Sequence, residues 1–358
     1  MMTGFTNTPA KPITIQHRLY IINKAGTGEA HYIVLTPDHS DILSYNVKTD
    51  HWKITKDICN FGVAEVDNLL YIFGGYNKRS ARHLDACYRY NPFEGTWTTL
   101  PSMPRPRAKF STNVMKGKII VTGGELPDGR QSVMCDMFDP VKNTWKELRP
   151  LLSPRSNHAC AVFNEELYCA GGCNGNQFHN NLWIYEGQKW QELDKEYPQK
   201  LPVNLDRFAM VKQGRSFYFI GGVSCKRDRD FPGRFKFVTE RRIFSYATSV
   251  SALEETQSDS MSSRLVSPWC NKLPTMTFAR HSAGVAAIGH KIYVFGGSVL
   301  ETGQQVRLVE CFNTATAEWE DDFRFRKGDV SNVTCVVLEV PNKQDDEQVH
   351  YKLKWVLW

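Results

Sequence analysis

The sequence predicts an all-β protein built from repeated four-stranded antiparallel sheets, and a recurring set of glycines and tryptophans carries this prediction. Paired glycines follow short runs of β-branched and aromatic residues, such as Leu70-Tyr71-Ile72-Phe73. Runs of this composition are typical of strands. The glycine pairs stand at 74/75, 123/124, 171/172, 221/222 and 296/297. A tryptophan follows each pair, as Trp97 follows Gly75. The pattern therefore predicts five equivalent structural units.

The spacing of the tryptophans limits what each unit can contain. The tryptophans that mark the units, Trp52, Trp97, Trp145, Trp190, Trp269 and Trp319, are 45 to 50 residues apart, except for a step of 79 between Trp190 and Trp269. About fifty residues hold four short strands, but they leave no room for the crossover helices that parallel strands need. We therefore expect antiparallel sheets. One such sheet cannot bury both of its faces, so neighbouring sheets must stack, and a closed ring leaves no exposed sheet edge.

In four of the five units an aromatic residue precedes the tryptophan, by seven residues in three of them and by five in the unit of Trp190. The pairs are Tyr90/Trp97, Phe138/Trp145, Tyr185/Trp190 and Phe312/Trp319. Tyr45 and Trp52 repeat the interval of seven residues, which predicts a sixth, degenerate unit at the start of the chain. In that unit Leu19-Tyr20-Ile21-Ile22 is the expected strand, and Asn23-Lys24 stands in place of the glycine pair. We expect the glycines to supply backbone room or positive φ, and the aromatic residues to fill space between units.

On these glycines, aromatics and tryptophans, residues 17–340 resemble the kelch-repeat family. The resemblance implies that each unit is one blade of a six-bladed β-propeller, with a seventh, irregular blade as the alternative. The segment 332–340 is expected to supply the inner strand that the first blade lacks. We expect residues 1–16 to form an N-terminal tail, residues 17–358 the propeller, and residues 247–268 a disordered, serine-rich insertion in the fifth repeat.

Composition and charge exclude several classes of protein. With 41% hydrophobic and 23% charged residues, the chain is expected to be globular rather than disordered or coiled-coil. We find neither a long apolar run nor a secretion signal, so we expect a cytoplasmic protein without a membrane partner. The net charge of +6 is too small to indicate nucleic acid, and we expect no nucleic-acid partner.

The sequence holds no pattern that indicates catalysis. The ten cysteines include no CxxC pair, and the ten histidines form no HExxH motif. The glycine pairs lack the spacing of a dinucleotide site, and no GxSxG motif or phosphate-binding loop is present. We therefore expect no enzyme, no cofactor and no metal site. The alternative that a single sequence leaves open is a copper oxidase related to kelch proteins, which needs Tyr, His and Cys residues clustered in space. Most cysteines are expected to be reduced thiols that pack as small apolar residues.

Candidate binding residues lie in the loops that are expected to share one rim of the ring. Loops on a rigid scaffold commonly carry recognition, and the resemblance to kelch proteins that capture other proteins implies the use of this rim. After the glycine pairs, the candidates are Tyr76, Asn77, Lys78, Arg79, Glu125, Asp128, Arg130, Asn174, Asn176 and Phe178.

A second set of candidates precedes the inner strands. Arg107, Arg155 and Arg280 recur at equivalent places, and the resemblance implies a structural role for them. Lys109, Asn157 and Ser282 follow two places later, where the resemblance implies side chains that point into a central pocket. His158, next to Asn157, completes this set.

The fifth repeat carries a long basic loop after its glycine pair. Between Lys226 and Arg242 there are seven positive and three negative residues, and phenylalanines lie among them. Such a loop suits an acidic, partly apolar peptide. Nucleic acid is the weaker competitor, since no RNA-binding or DNA-binding motif accompanies the loop. We select Arg227, Arg229 and Phe235 from it as binding residues.

The chain resembles the kelch domains of BTB-kelch proteins, the substrate adaptors of cullin-3 ubiquitin ligases. In that family a BTB domain binds cullin-3, and the propeller selects the protein to be ubiquitinated. The resemblance implies a non-enzymatic module that recognises a protein substrate. We find no BTB or BACK domain in this sequence, so we expect a shortened form of such an adaptor, reaching cullin-3 only through a BTB domain not present here. The alternative is a cytoskeletal, actin-binding kelch scaffold.

Overall fold

Six antiparallel sheets form a ring in the computed structural model, which describes residues 14–192, 200–228, 231, 233–248 and 267–342. In five sheets, four strands follow one another in chain order from the inner to the outer strand, and the second sheet gains one additional short strand. The first sheet takes its inner strand from the end of the described chain. The prediction of a six-bladed β-propeller is confirmed, and the seven-bladed alternative is wrong.

The strands of the six blades are as follows. Blade one contains β1 (Ile15–Asn23), β2 (Glu29–Leu35), β3 (Ile42–His51) and β29 (Val333–Pro341). Blade two contains β4 (Ile58–Cys59), β5 (Gly62–Val66), β6 (Leu69–Asn77), β7 (Arg82–Asn91) and β8 (Thr96–Leu100). Blade three contains β9 (Ser111–Met115), β10 (Lys118–Thr122), β11 (Cys135–Asp139) and β12 (Thr144–Leu148).

The second half of the ring repeats this plan. Blade four contains β13 (Ala159–Phe163), β14 (Glu166–Ala170), β17 (Leu182–Tyr185) and β18 (Trp190–Glu192). Blade five contains β19 (Ala209–Gln213), β20 (Ser216–Ile220), β23 (Ile243–Ala247) and β24 (Trp269–Cys270). Blade six contains β25 (Gly284–Ile288), β26 (Lys291–Phe295), β27 (Leu308–Asn313) and β28 (Glu318–Arg324). Two small hairpins stand outside the blades, β15 (Cys173–Asn174) with β16 (Gln177–Phe178), and β21 (Val223–Arg227) with β22 (Phe235–Thr239).

The last described strand closes the ring. β29 pairs with β1 along nine residues, from Ile15 opposite Pro341 to Asn23 opposite Val333. The inner strands β29, β5, β9, β13, β19 and β25 then contact one another in cyclic order. The predicted role of residues 332–340 as the missing inner strand of the first blade is therefore confirmed.

Apolar cores fill the six spaces between neighbouring blades. Tyr20 of blade one, for example, packs with Leu70 of blade two, and Phe73 of blade two packs with Phe138 of blade three. Each blade thus buries both faces only because it has two neighbours. We therefore expect an incomplete ring to expose the apolar faces of its terminal blades.

The regular aromatic–tryptophan interval corresponds to pairing between the two outer strands of a blade. Tyr90 lies opposite Trp97, and Phe138 lies opposite Trp145, with ring centroids 4.9 and 5.1 Å apart. The Trp145 indole also donates a hydrogen bond of 3.0 Å to the Pro101 carbonyl of the preceding blade connection. The tryptophans therefore stabilise the contact between blades, as the sequence predicts.

Tyr45 and Trp52 do not form such a pair. Tyr45 lies within the outer strand β3, and Trp52 follows the end of the same strand. Tyr45 packs against Phe323 of blade six, whereas Trp52 packs against Trp97 of blade two. The sixth unit is real, but its equivalence with the other aromatic–tryptophan pairs is wrong.

The glycine pairs occupy the left-handed region of backbone space. Gly123 has φ of 60°, and a Cβ there would lie 2.6 Å from the Arg155 carbonyl oxygen of the next blade. Glycine is the residue that tolerates both constraints. Asn23 and Lys24 do not have positive φ in the described structure, which explains why the first unit needs no glycines there.

Two of the recurring arginines form buried ion pairs within their blades. The Arg107 guanidinium binds the Asp136 carboxylate, and Arg280 binds Glu310, with all four side chains fully buried. Arg107 also donates 3.1 and 2.9 Å hydrogen bonds to the Gly123 and Met134 carbonyls. The structural role implied for these arginines is confirmed.

The remaining features of the chain agree with an all-β protein. The described residues include one 3-10 turn, Lys53–Thr55, and contain no helix long and apolar enough to cross a lipid bilayer.

All ten cysteines are free, and seven of them are buried. The predicted tail up to residue 13, the serine-rich insertion at 249–266 and the segment 343–358 lie outside the described residues.

Candidate functional site

A central cavity of about 1040 Å³ lies where the blades meet. Residues of the inner strands, such as Val63, Asn113 and Met210, line its wall. Loop residues of the predicted binding rim, such as Asn176 and Phe178, line it as well. The cavity and the rim therefore form one continuous surface.

Five equivalent residues surround this cavity, one before each inner strand of blades two to six. They are Asn60, Lys109, Asn157, Arg207 and Ser282, and all have φ between 53° and 58°. This conformation directs each amide N–H to the carbonyl of the equivalent residue in the preceding blade. The N···O distances are 3.0 Å for Lys109 to Asn60, 2.8 Å for Asn157 to Lys109, 3.2 Å for Arg207 to Asn157 and 2.8 Å for Ser282 to Arg207.

Main-chain hydrogen bonds of the first blade complete the circle. Val333 donates to the Ser282 carbonyl at 3.1 Å, Lys24 donates to the Asn332 carbonyl at 2.7 Å, and Asn60 donates to the Lys24 carbonyl at 3.0 Å. The backbone is thus hydrogen-bonded around the whole cavity, which fixes the positions of the side chains that line it.

The sequence located only part of this circle. Lys109, Asn157 and Ser282 line the cavity, as expected from their place two residues after an arginine. Arg207 lines it at the equivalent position but was missed, because Leu205 replaces the preceding arginine in blade five. The pair Asp206-Arg207, just before the inner strand of blade five, was the sequence feature that could have revealed this position.

The charges around the cavity are largely balanced by their neighbours. Lys109 lies 2.7 Å from the Glu125 carboxylate, and Arg207 lies 2.8 Å from Asp206. Burial lowers the pKa of the Lys24 amine to about 8. Burial, together with the nearby Arg207 cation, lowers the pKa of His281 to about 4, so that imidazole is neutral at pH 7. A partner therefore meets a polar surface without a strong net charge.

The loop of blade two holds the first predicted rim residues. The Tyr76 ring contacts the edge of His83, with centroids 5.2 Å apart, and Lys78 donates a 2.6 Å hydrogen bond to a carbonyl of blade one. Asn77 accepts a hydrogen bond from the main chain of the same loop. Arg79 is exposed. Three of these four side chains thus also shape the rim itself.

The loop of blade three presents an exposed ion pair. Asp128 and Arg130 are 2.6 Å apart across a tight turn, and the hydrogen bond from Arg130 lowers the pKa of the Asp128 carboxyl. Glu125 of the same loop is half-buried and bonded to Lys109. Only the tip of this loop is free to meet a partner.

The small hairpin of blade four, β15 with β16, lies on the rim and contacts the hairpin of blade five. Asn174 and Asn176 are exposed on it, and the Phe178 ring stacks on Phe237 of blade five, with centroids 5.1 Å apart and an interplanar angle of 28°. Both rings line the mouth of the cavity. Aromatic surface therefore extends from one hairpin to the other.

His158 differs from the expectation of a rim side chain that meets a partner. It is only 6% exposed, and its Nε2 lies 2.9 Å from the Thr122 hydroxyl beneath the glycine pair of blade three. The equivalent residue in blade three is Phe110, which is also buried. The position that directly follows the residue of the hydrogen-bonded circle, occupied by His158 after Asn157 and by Phe110 after Lys109, therefore packs between blades.

Comparison with known proteins gives the family. Residues 60–264 match the family model described as the KLHDC2/KLHL20/DRC7 kelch-repeats domain, and residues 279–321 match the kelch motif. The chain belongs to the kelch-repeat family. The matched residues include all five glycine pairs, from blade two to blade six, so the family assignment and the observed fold agree.

Several kelch relatives are similar over most of this chain. Kelch-like protein 26 from Danio rerio is 27% identical over 286 residues, which cover 78% of this chain and 42% of that protein. Human Kelch-like protein 26 is also 27% identical, with 78% of this chain and 41% of that protein covered. The chain spans less than half the length of these relatives. The solved structure of YjhT, at 14% identity, has a TM-score of 0.63 over 88% of this chain and 99% of that chain, which shows the shared fold.

The basic loop of the fifth kelch repeat folds as a regular hairpin. This basic hairpin, residues 223–239, pairs Lys226 with Lys236 and Arg227 with Phe235. Phe231, Phe235 and Phe237 are 55%, 63% and 42% exposed. Arg229 lies outside the described residues. Exposed apolar side chains that stand singly are common, but a cluster of three phenylalanines beside basic residues is typical of an interaction surface.

Glu240 neutralises part of the positive charge at the base of this hairpin. Its carboxylate lies 2.9 Å from Lys226 and 2.7 Å from Arg242, and it also accepts a hydrogen bond from Ser224. Burial raises the pKa of Glu240, but these three hydrogen bonds outweigh it and hold the pKa at about 2. The charge that remains for a partner therefore lies mainly at the exposed Arg227, Arg234 and Lys236.

Proposed function

We propose that this kelch propeller is a non-enzymatic protein-interaction module whose basic hairpin and cavity rim bind an acidic, partly apolar segment of another protein. The exposure of three phenylalanines beside Arg227 and Lys236 is the observation that carries the proposal. Aromatic and arginine side chains are the residues most often found at the centre of protein interfaces. Family membership and the kelch-like relatives support the same general role.

The position of the hairpin supports an extended ligand. Phe237 and Phe178 stack at the mouth of the cavity, where Lys109, Asn157 and Ser282 also line the surface. A segment bound to the hairpin could therefore continue into the cavity and form hydrogen bonds with the circle of polar residues. Apolar contacts would supply affinity, and charge complementarity would increase the association rate and the specificity.

We further propose that the bound protein is the substrate of a cullin-3 ubiquitin ligase. The resemblance to the kelch domains of BTB-kelch adaptors supports this role. In such an adaptor the BTB domain binds cullin-3, and the propeller binds the protein to be ubiquitinated. The three exposed phenylalanines of the basic hairpin would give such an adaptor a surface for its substrate.

Charge reversal on the basic hairpin tests the binding surface. Arg227→Glu with Lys236→Glu should weaken binding of a labelled synthetic peptide of alternating acidic and aromatic residues by about tenfold or more. The control carries Lys142→Glu with Lys146→Glu on blade three, which alters the net charge equally. Peptide affinity is measured by fluorescence anisotropy at increasing NaCl concentration. Equal loss in both variants, or none in the hairpin variant, would contradict the assignment.

Proximity labelling in cells tests the adaptor role. Proteins that are labelled by the wild-type chain and lost with the hairpin variant should increase in abundance when cullin-3 is depleted. Hairpin-dependent proteins whose abundance stays constant would contradict the ligase role and leave the binding surface standing. Co-sedimentation of the purified chain with actin filaments would instead support the cytoskeletal scaffold.

A further inference from the structure

Three side chains with metal-binding atoms converge in blade four, between the cavity and the interior. His158 and Cys160 lie two residues apart at the start of β13, so they share one face of the sheet. Cys169 of β14 lies directly opposite Cys160. The donor atoms of all three side chains lie within 4.8 Å of one another. They are 6%, 7% and 0% exposed, respectively.

The propeller scaffold does not require these residue types. Blade three has Phe110, Thr112 and Val121 at the three equivalent positions, counted from the circle residue and the glycine pair. Blade six has Ala283, Val285 and Val294 there. The imidazole and the two thiols of blade four therefore replace residues that are mostly apolar in the sibling repeats.

A buried cation beside the cluster lacks the partner that its siblings have. Arg155 is fully buried, as are Arg107 and Arg280, but no carboxylate lies within 4.0 Å of it among the described residues. Trp183 takes the place of Asp136, and the Arg155 guanidinium lies 3.6 Å from its ring centroid.

Because Arg155 is a buried cation, an anion nearby would lower the free energy of the folded chain. Burying an unpaired cation is costly, so a negative group in its surroundings is expected. Trp183, whose ring centroid lies 3.6 Å from the Arg155 guanidinium, is the cross-strand partner of Cys169, so the cluster lies close to this cation. The cluster can supply the missing negative charge if its thiols are deprotonated.

His158 shows an unused ligand atom. Its Nδ1 has no hydrogen-bond partner among the described residues, although the side chain is more than nine-tenths buried. Its Nε2 meets the Thr122 hydroxyl at 2.9 Å. A hydrogen bond on one ring nitrogen is the usual means by which a protein orients a metal-binding imidazole.

We propose that His158, Cys160 and Cys169 bind one Cu(I) ion. Two thiolates and an imidazole are soft ligands that suit Cu(I) and Zn(II), and the charges distinguish the two ions. Two thiolates with Cu(I) carry a net charge of −1, which the Arg155 guanidinium neutralises, whereas Zn(II) would leave a buried charge of +1. Binding releases the two thiol protons to solvent. Entry is possible from the cavity, which His158 and Cys160 line.

Metal competition on the full chain tests this site. The reduced protein is titrated with Cu(I) under oxygen-free conditions against the chromophoric chelator bicinchoninate. We expect one tightly bound Cu(I) per chain. Cys160→Ser and Cys169→Ser should each weaken binding by about 100-fold or more, because loss of supporting groups alone costs 10- to 100-fold. Cys87→Ser, which alters another fully buried thiol, serves as the matched control and should bind normally.

A second measurement does not depend on the folding of the variants. X-ray absorption of the copper-loaded wild-type chain should show two sulfur ligands and one nitrogen ligand. Absence of tight Cu(I) binding would overturn the proposal. So would equal loss in all three variants, a different ligand set, or tighter binding of Zn(II) than of Cu(I).

Discussion

Replacing Asp136 by asparagine isolates the contribution of a buried ion pair to the stability of the ring. The Arg107 guanidinium and the Asp136 carboxylate are both fully buried and bonded to each other. The asparagine amide would keep the size and most of the hydrogen-bonding capacity of the side chain, but it would leave the guanidinium without a counter-charge. Removing one partner of a buried pair typically costs about 3–5 kcal/mol.

This loss of free energy converts into a measurable change in thermal midpoint. Unfolding entropy is about 2.1 cal/mol/K per residue, which gives about 0.75 kcal/mol/K for the chain of 358 residues. Asp136→Asn should therefore lower the midpoint by about 4–7 °C in differential scanning calorimetry. Asp128→Asn, in an exposed ion pair, is the control and should leave the midpoint unchanged.

Blade five suggests how the loss can be reversed. Leu205 and Phe244 occupy the positions that hold Arg107 and Asp136 in blade three, so one blade of this ring already replaces the ion pair by apolar residues. The double variant Arg107→Leu with Asp136→Phe should recover at least half of the midpoint lost by Asp136→Asn. A midpoint that falls by less than about 1 °C in Asp136→Asn would refute the reasoning, because the cation would then not depend on its counter-charge.

Two other substitutions test the hairpin base and the glycine pairs. Glu240 has a pKa of about 2 in the folded chain against an ordinary value of 4.5. This difference adds about 3 kcal/mol to the free energy of unfolding. The contribution is complete above pH 5 and is lost as the pH falls from 4.5 towards 2. Urea unfolding between pH 5 and 2.5 should therefore show a shallower decline for Glu240→Gln than for the wild type, and parallel curves would contradict this. Gly123→Ala should cost at least about 1–3 kcal/mol from strain at φ of 60°, whereas Gly129→Ala, which meets no atom within 4 Å, isolates the strain of positive φ alone. Equal unfolding midpoints for the two alanine variants would show that the Arg155 carbonyl does not restrict the glycine pair.

The features that repeat were predictable from the sequence, because each blade has the same local requirement and the residues that meet it recur at a regular spacing. The glycine pairs mark positive φ, the tryptophans mark the outer hairpins, and the buried arginines recur at one loop position. Six blades and the closing role of 332–340 follow from these marks. The mistaken pairing of Tyr45 with Trp52 arose where the first repeat departs from the period, since both residues belong to one strand and its end.

The candidate site was less predictable, because its residues meet through pairing across strands and between blades. Arg207 was hidden by the loss of the preceding arginine, and the stack of Phe178 on Phe237 joins two different repeats. The thiols of Cys160 and Cys169 are nine positions apart, so a search for CxxC pairs cannot find them. The turn at Asn164–Glu165 brings them opposite each other, and only the hairpin register reveals it.

Both functional proposals therefore concern positions at which a blade departs from the repeat. Blades three and six combine apolar residues between blades with an ion-paired arginine beneath the glycine pair, whereas blade five has Leu205 and Phe244 in place of that ion pair. Blade five departs by adding a basic, aromatic hairpin that contributes little to the core, since its phenylalanines are exposed. Blade four departs by placing an imidazole and two thiols where its siblings pack mostly apolar side chains. Because the scaffold tolerates the sibling residues at those positions, stability alone does not account for either departure, and each of the two binding proposals supplies a physical reason for one of them.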